Sequence, residues 1–152
     1  MKPASLIGKE ILDIYAHIEA FEEFKDFGLR KAECYYLLSG DILIGLPFYI
    51  DDEEVWIKEL HPMAKSYYPA KKWWQKKSGY DKIKNSKIRD ILYYPNETHA
   101  SFIELESGVI ITEETVAPIG IEVGLRSFAS IDQLEELWGK EYIRLTDYKF
   151  NV

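Results

Sequence analysis

The residues best suited to chemistry in this chain are its carboxylates. They fall in pairs and runs: Glu22/Glu23, Asp51 to Glu54, Glu104/Glu106, Glu113/Glu114 and Glu135/Glu136. Two carboxylates held a few ångströms apart in a shaped cleft can serve as acid and base, or as nucleophile. These runs fall at the ends of expected hairpins and at helix starts, which are solvated positions, so no catalytic pair is assigned. The three histidines, His17, His61 and His99, are not spaced as metal ligands on one helix, and the single Cys34 has no cysteine partner. Cys34 alternates with Tyr36 on an expected strand and reads as a small buried hydrophobe. There is no Gly-x-Ser-x-Gly elbow, and the GIEVG run from Gly120 to Gly124 has neither the Walker lysine nor dinucleotide glycine spacing. No catalytic residue, metal or cofactor is expected.

The other chemically distinctive stretch is basic. From Lys65 to Arg89 there are nine Lys/Arg against Asp81 alone, a local balance of +8 in a chain whose net charge is -7. The remainder carries 10 basic and 25 acidic residues. Within the basic stretch, Lys71-Lys72-Trp73-Trp74-Gln75-Lys76-Lys77 interleaves cations with indoles. Single-stranded nucleic acid is held in that way, by stacking and phosphate contact. A structural account competes with it, in which a tryptophan anchors the segment while the lysines extend outward. The acidic remainder suits a basic protein partner, because opposite fields steer encounter and aromatics provide anchors.

These residues need a scaffold, and the chain points to a sheet. Two segments, Ala32 to Leu46 and Ala100 to Glu114, each read as strand, turn, strand around a Ser-Gly pair (Ser39-Gly40 and Ser107-Gly108). Superposing the pairs sets Leu37 on Leu105, Ile42 on Ile110 and Cys34 on Phe102. Residues 10 to 20 and Ile88 to Tyr94 supply a preceding strand for each, giving two similar β-meander halves at about 7–48 and 86–116. A short helix is expected from about Glu53 to Leu60, with Asp51 or Asp52 as N-cap and the acids favouring its N-terminus. Residues 70 to 77 offer a further turn or two of helix, and Tyr80 to Lys87 a polar connection. Gly120 and Gly124 suggest a loop. Ser130 and Gln133 form a capping box for a helix from Ile131 to Trp138 that stops at Gly139. Glu141 to Phe150 would add a strand or an ordered tail.

The expected fold is therefore α+β: one domain over 1–152, a mostly antiparallel sheet of about six strands, and two or three short helices. A length of 152 residues with 47% hydrophobic and 14% aromatic side chains supports a real core. No apolar run reaches the ~18 residues of a membrane span, and MKPASLIGKE has no signal-like apolar region, so a cytoplasmic location without membrane contact is expected.

The strand-rich size, the doubled hairpin with Ser-Gly turns, and the segment from Ile110 to Pro118 (IITEETVAP) resemble the small, acidic immunity proteins that neutralise bacterial contact-dependent and polymorphic toxins. The resemblance implies a non-enzymatic protein that binds one toxin domain and blocks its active site or substrate path. The expected contacts are Glu22, Glu23, Asp51, Asp52, Glu53, Glu54, Glu113 and Glu114, with Trp56 as an anchor. A basic, nuclease-like toxin domain is the expected partner, since nucleases are cationic where they hold phosphate. The alternative is a nucleic-acid or adaptor role through Lys71, Lys72, Trp73, Trp74, Lys76 and Lys77.

Overall fold

The computed structural model describes residues 2–17, 34–45, 57–59, 67–69, 82–95, 101–116 and 122–147. In chain order the strands are β1 (Glu10–Ile11), β2 (Asp13–His17), β3 (Cys34–Ser39), β4 (Ile42–Gly45), β5 (Ile57–Glu59), β6 (Tyr67–Pro69), β7 (Ser86–Tyr93), β8 (Phe102–Leu105), β9 (Ile110–Val116), β10 (Glu122–Phe128) and β11 (Ile143–Arg144). A 3-10 turn covers Pro3–Leu6, and helix α1 covers Ile131–Trp138.

The antiparallel, mostly-sheet expectation holds, but the sheet is divided in two. The first runs β1-β7-β8-β9-β10, with β11 also on β7; the second runs β5-β4-β3-β2-β6. β2 to β5 form a four-strand meander in one sheet, and β7 to β10 form another in the other. The amino-terminal strand joins them. Glu10 and Ile11 pair with β7 in the first sheet, and Asp13 to His17 pair with β3 in the second. The segment expected as one strand over residues 10 to 20 therefore breaks at Leu12, whose amide donates to the Leu38 carbonyl at 2.8 Å. Residues 18–20 lie outside the described residues.

The sheets face each other across a shared core. Ile14, Leu37 and Ile44 from the second sheet cluster with Ile11, Ile88, Ile91, Ile103, Leu105 and Ile111 from the first. The opposite face of the first sheet is covered as well: Leu92, Phe102, Ile110 and Phe128 pack with Leu134 of α1, and Trp138 and Tyr142 close the edge. A sheet buried on both faces explains why every residue of β8 is buried instead of alternating with exposed ones.

Several expectations need correction. Two or three helices reduce to α1 and the 3-10 turn among the described residues. The helix expected from Glu53 to Leu60 gives way to strand at Ile57–Glu59, which pairs with β4; residues 70 to 77 lie outside the described residues. Ser86 and Lys87, assigned to a connection, open β7. Gly124 lies inside β10 opposite Glu114, where a loop was expected. The two hairpins also turn differently. Ser39 pairs with Ile42, leaving Gly40-Asp41 as the loop, with Gly40 at φ +61°. In the other, the Gly108 amide donates to the Leu105 carbonyl and the Leu105 amide to that of Val109, enclosing a three-residue loop with Gly108 at φ +92°. α1 forms as expected: Ser130 Oγ accepts from the Gln133 amide, Gln133 Oε1 accepts from the Ala129 amide, and Gly139 is the C-cap.

No atom lies where a Cβ on Gly108 would be placed, so its requirement is conformational alone. Gly108→Ala should lower unfolding stability by about 1–2 kcal/mol, the cost of a left-handed alanine, with Gly108→Asn costing less. Urea midpoints at unchanged slope would check this.

Candidate functional site

Among the described residues the structure brings together one pair of carboxylates, and it is not a pair adjacent in sequence. Asp90 on β7 and Glu104 on β8 are direct cross-strand partners. A bulge places Ile88 opposite Leu105 and Asp90 opposite Glu104, so Arg89 is the extra residue. Arg89 is exposed, and its guanidinium donates to the Glu106 carbonyl at 2.6 Å. Both acids are buried, at 3% and 4% exposure. Like charges directly opposite on neighbouring strands repel, and burial strengthens the repulsion.

Arg144 of β11 resolves the conflict. Its Nη1 donates to Glu104 Oε1 at 2.6 Å and reaches Asp90 Oδ2 at 3.5 Å, while Nη2 donates to Glu104 Oε2 at 3.4 Å. The hydrogen bond to Glu104 holds the guanidinium pKa above its ordinary value. Asp90 takes further donors: the Ile91 amide at 2.8 Å, the Thr146 amide at 3.2 Å and the Thr146 hydroxyl at 2.7 Å. Every oxygen of the pair thus has a donor from the fold itself. The arrangement fastens the chain after α1 onto β7 and leaves neither carboxylate presented to a substrate.

The fastening extends through tyrosines. The Arg144 guanidinium sits 5.6 Å from the Tyr142 ring centre, and the Tyr142 hydroxyl donates to Glu135 Oε1 at 2.9 Å. Burial, and then the Glu135 hydrogen bond, raise the Tyr142 pKa. Tyr94 packs edge-on to Phe102 and Tyr142, and its hydroxyl donates to the Gly139 carbonyl at 2.8 Å. Burial is the main cause that pushes the Tyr94 phenol up to about 12.

A second feature is an open groove of about 640 Å³ beside α1, lined by Arg126, Ser127, Phe128, Gln133, Glu136 and Leu137. The Arg126 guanidinium lies 5.0 Å over the Phe128 ring. Leu137, 56% exposed, is the one exposed large hydrophobe among the described residues.

Of the residues expected to contact a partner, Glu113 and Glu114 lie on β9, opposite Leu125 and Gly124 and next along the strands from Arg126. Glu22, Glu23, Asp51, Asp52, Glu53, Glu54 and Trp56 lie outside the described residues, as do Lys71, Lys72, Trp73, Trp74, Lys76 and Lys77. His17 and Cys34 prove to be register partners in β2 and β3, which their distance in sequence conceals. No group of three or more His, Cys, Asp or Glu is arranged to hold a metal ion among the described residues. No helix there is long and apolar enough to cross a membrane.

Arg144→Ala leaves two buried carboxylates facing each other and should cost about 3–5 kcal/mol of stability. Adding Glu104→Gln should recover more than 1 kcal/mol of that loss, read as coupling in a double-mutant cycle. Tyr94 should ionise about two pH units above an ordinary tyrosine in a difference titration against Tyr94→Phe. Because its pKa is raised in the fold, the stability it contributes is complete below pH 10 and lost as pH rises from 10 to about 12. The alkaline decline should therefore be shallower in Tyr94→Phe. Comparison with protein-family models, with curated proteins and with solved structures returns no match.

Proposed function

We propose that this chain is a non-enzymatic binding protein of the immunity type, which neutralises a basic, nuclease-like toxin domain by direct contact. The observation that carries the proposal is how the fold uses its acids. The two buried carboxylates are occupied by Arg144 and Thr146. Among the described residues Glu10, Asp41, Glu106, Asp132, Glu136, Glu141 and Asp147 are exposed, alongside Lys2, Lys82, Lys84, Lys87, Arg89 and Lys140. The net charge of -7 over the whole chain supplies an attractive field for a cationic protein and speeds its association. The toxin must be cationic where it grips phosphate, so the same field directs the chain to the surface that must be blocked.

The test is protection. The proposal requires that a large secreted protein be encoded directly upstream of this chain, and the C-terminal domain of that protein is the probe. Co-expression should restore growth, and the purified proteins should form a stoichiometric complex whose association slows as salt is raised. Reversing Asp51, Asp52, Glu53 and Glu54 to lysine should slow association and flatten its salt dependence. Unrelieved toxicity, or no complex, overturns the proposal. The Lys71 to Lys77 segment gives the competing reading its own readout: quenching of Trp73 and Trp74 fluorescence by single-stranded RNA at low salt would favour the nucleic-acid role.

A further inference from the structure

We infer that the segment Ile143–Asp147 is a strap that opens and closes over the Asp90–Glu104 pair as a unit of its own, with Arg144 as its latch.

How an element is held determines how it comes away. β7 to β10 run for four to eight residues each, and the sheet they form is packed with apolar side chains on both faces. The strap is held otherwise. Its ladder is two residues long, Ile143 opposite Tyr93 and Arg144 opposite Leu92, continued by the Leu145 amide on the Ile91 carbonyl. Leu145 alone is buried in the core; Ile143 and Arg144 are half-buried, and Thr146 and Asp147 are exposed. The remaining attachments to the sheet are polar, and those of the Arg144 and Thr146 side chains end on Asp90 or Glu104.

Opening therefore removes one aliphatic side chain from the core, a small part of the burial that the two sheets keep. The ions offset much of their own loss, because water reaches Asp90, Glu104 and Arg144 together and solvates all three. A partial opening has no such compensation. With Arg144 withdrawn and Thr146 still seated, two carboxylates face each other across neighbouring strands with water excluded. The strap is accordingly two-state, closed with all its polar contacts or open with none. Its pivot lies just before it. Tyr142 stays with α1 through Glu135 and packs on Tyr94, and α1 keeps its seat on the sheet through Leu134 and Trp138. What opening uncovers is the edge of β7 from Asp90 to Tyr93 and the one carboxylate pair that the described residues assemble. The strap thus governs access to that pair.

Hydrogen exchange on the full chain, followed amide by amide in rising urea below the unfolding midpoint, is the test. The Leu145 amide should be protected by about tenfold or more less than those of Ile103 and Ile111. Its exchange should change little with urea, since a short opening exposes little surface. Exchange at Ile103 and Ile111 should accelerate steeply with urea, as for global unfolding. Arg144→Ala should lower the Leu145 protection by about tenfold or more and leave Ile103 and Ile111 protected. If Leu145 exchanges at the rate of Ile103 and Ile111 and follows them through the urea series, the segment forms one cooperative unit with the sheets and the inference fails. Should Arg144→Ala fail to fold, the urea series on the wild type decides alone.

Discussion

A single guanidinium stands between two buried carboxylates, and the lie of the carboxy-terminal segment on the first sheet depends on it. Asp90 and Glu104 oppose each other because β7 and β8 pair in the register their hydrophobic residues demand. Two negative groups there are tolerable only if a cation reaches both. Arg144 does, from a strand of two residues. Such a short strand has little ladder of its own to define its register. The contacts of Arg144 and Thr146 supply that definition, and they send Leu145, whose amide donates to the Ile91 carbonyl at 2.8 Å, into the core shared by the sheets. A buried ion network is weak evidence for stability, since apolar residues of equal volume often serve as well. Its value here is selection of one arrangement of the chain after α1.

The clamp is needed because the first sheet has no solvated face in its centre. One side meets the second sheet and the other meets α1, so any polar side chain on β7 or β8 must find its partner inside the protein. The division into two sheets comes in turn from the amino-terminal strand, which leaves β7 after Ile11 and joins β3 from Asp13. Leu12 stands at the corner, and its amide is retained by the Leu38 carbonyl, so the change of partner leaves no unpaired donor there.

What the sequence makes legible is what short-range chemistry decides. Ser130, Gln133 and Gly139 mark both ends of α1 because capping involves groups within four residues. The Ser-Gly pairs with apolar residues on either side reveal β3, β4, β8 and β9 for the same reason. What it conceals depends on pairing between distant segments. Ile57–Glu59 becomes a strand through β4, although the preceding acids imitate a helix start. Gly124, a breaker by propensity, is carried within β10 by a seven-residue ladder to β9. The two Ser-Gly pairs look equivalent, yet one hairpin closes on two residues and the other on three, a difference made by cross-strand register. Asp90 and Glu104 could not be linked from spacing, because the bulge at Arg89 decides which residue of β7 faces Glu104. The groove was missed for a related reason. Leu137 reads as part of a helix core until α1 is set on the sheet through Leu134.

The partition of acids between interior and surface also bears on how a surface can recognise. A carboxylate that serves as a latch inside the protein cannot serve as a contact outside it, and the fold keeps the two populations apart. Helix α1 lies at their boundary. Its inner side is fixed by Leu134 and by Glu135 through Tyr142, and its outer side carries Asp132, Glu136 and Leu137. The backbone beneath those side chains is held by capping and by the packing of Trp138 on Tyr94. A surface held in that way loses little ordering entropy in any association. The buried network and the exposed side of the helix are thus parts of one arrangement, in which interior charges fix the segment that follows α1 and, through Tyr142 and Glu135, the helix itself.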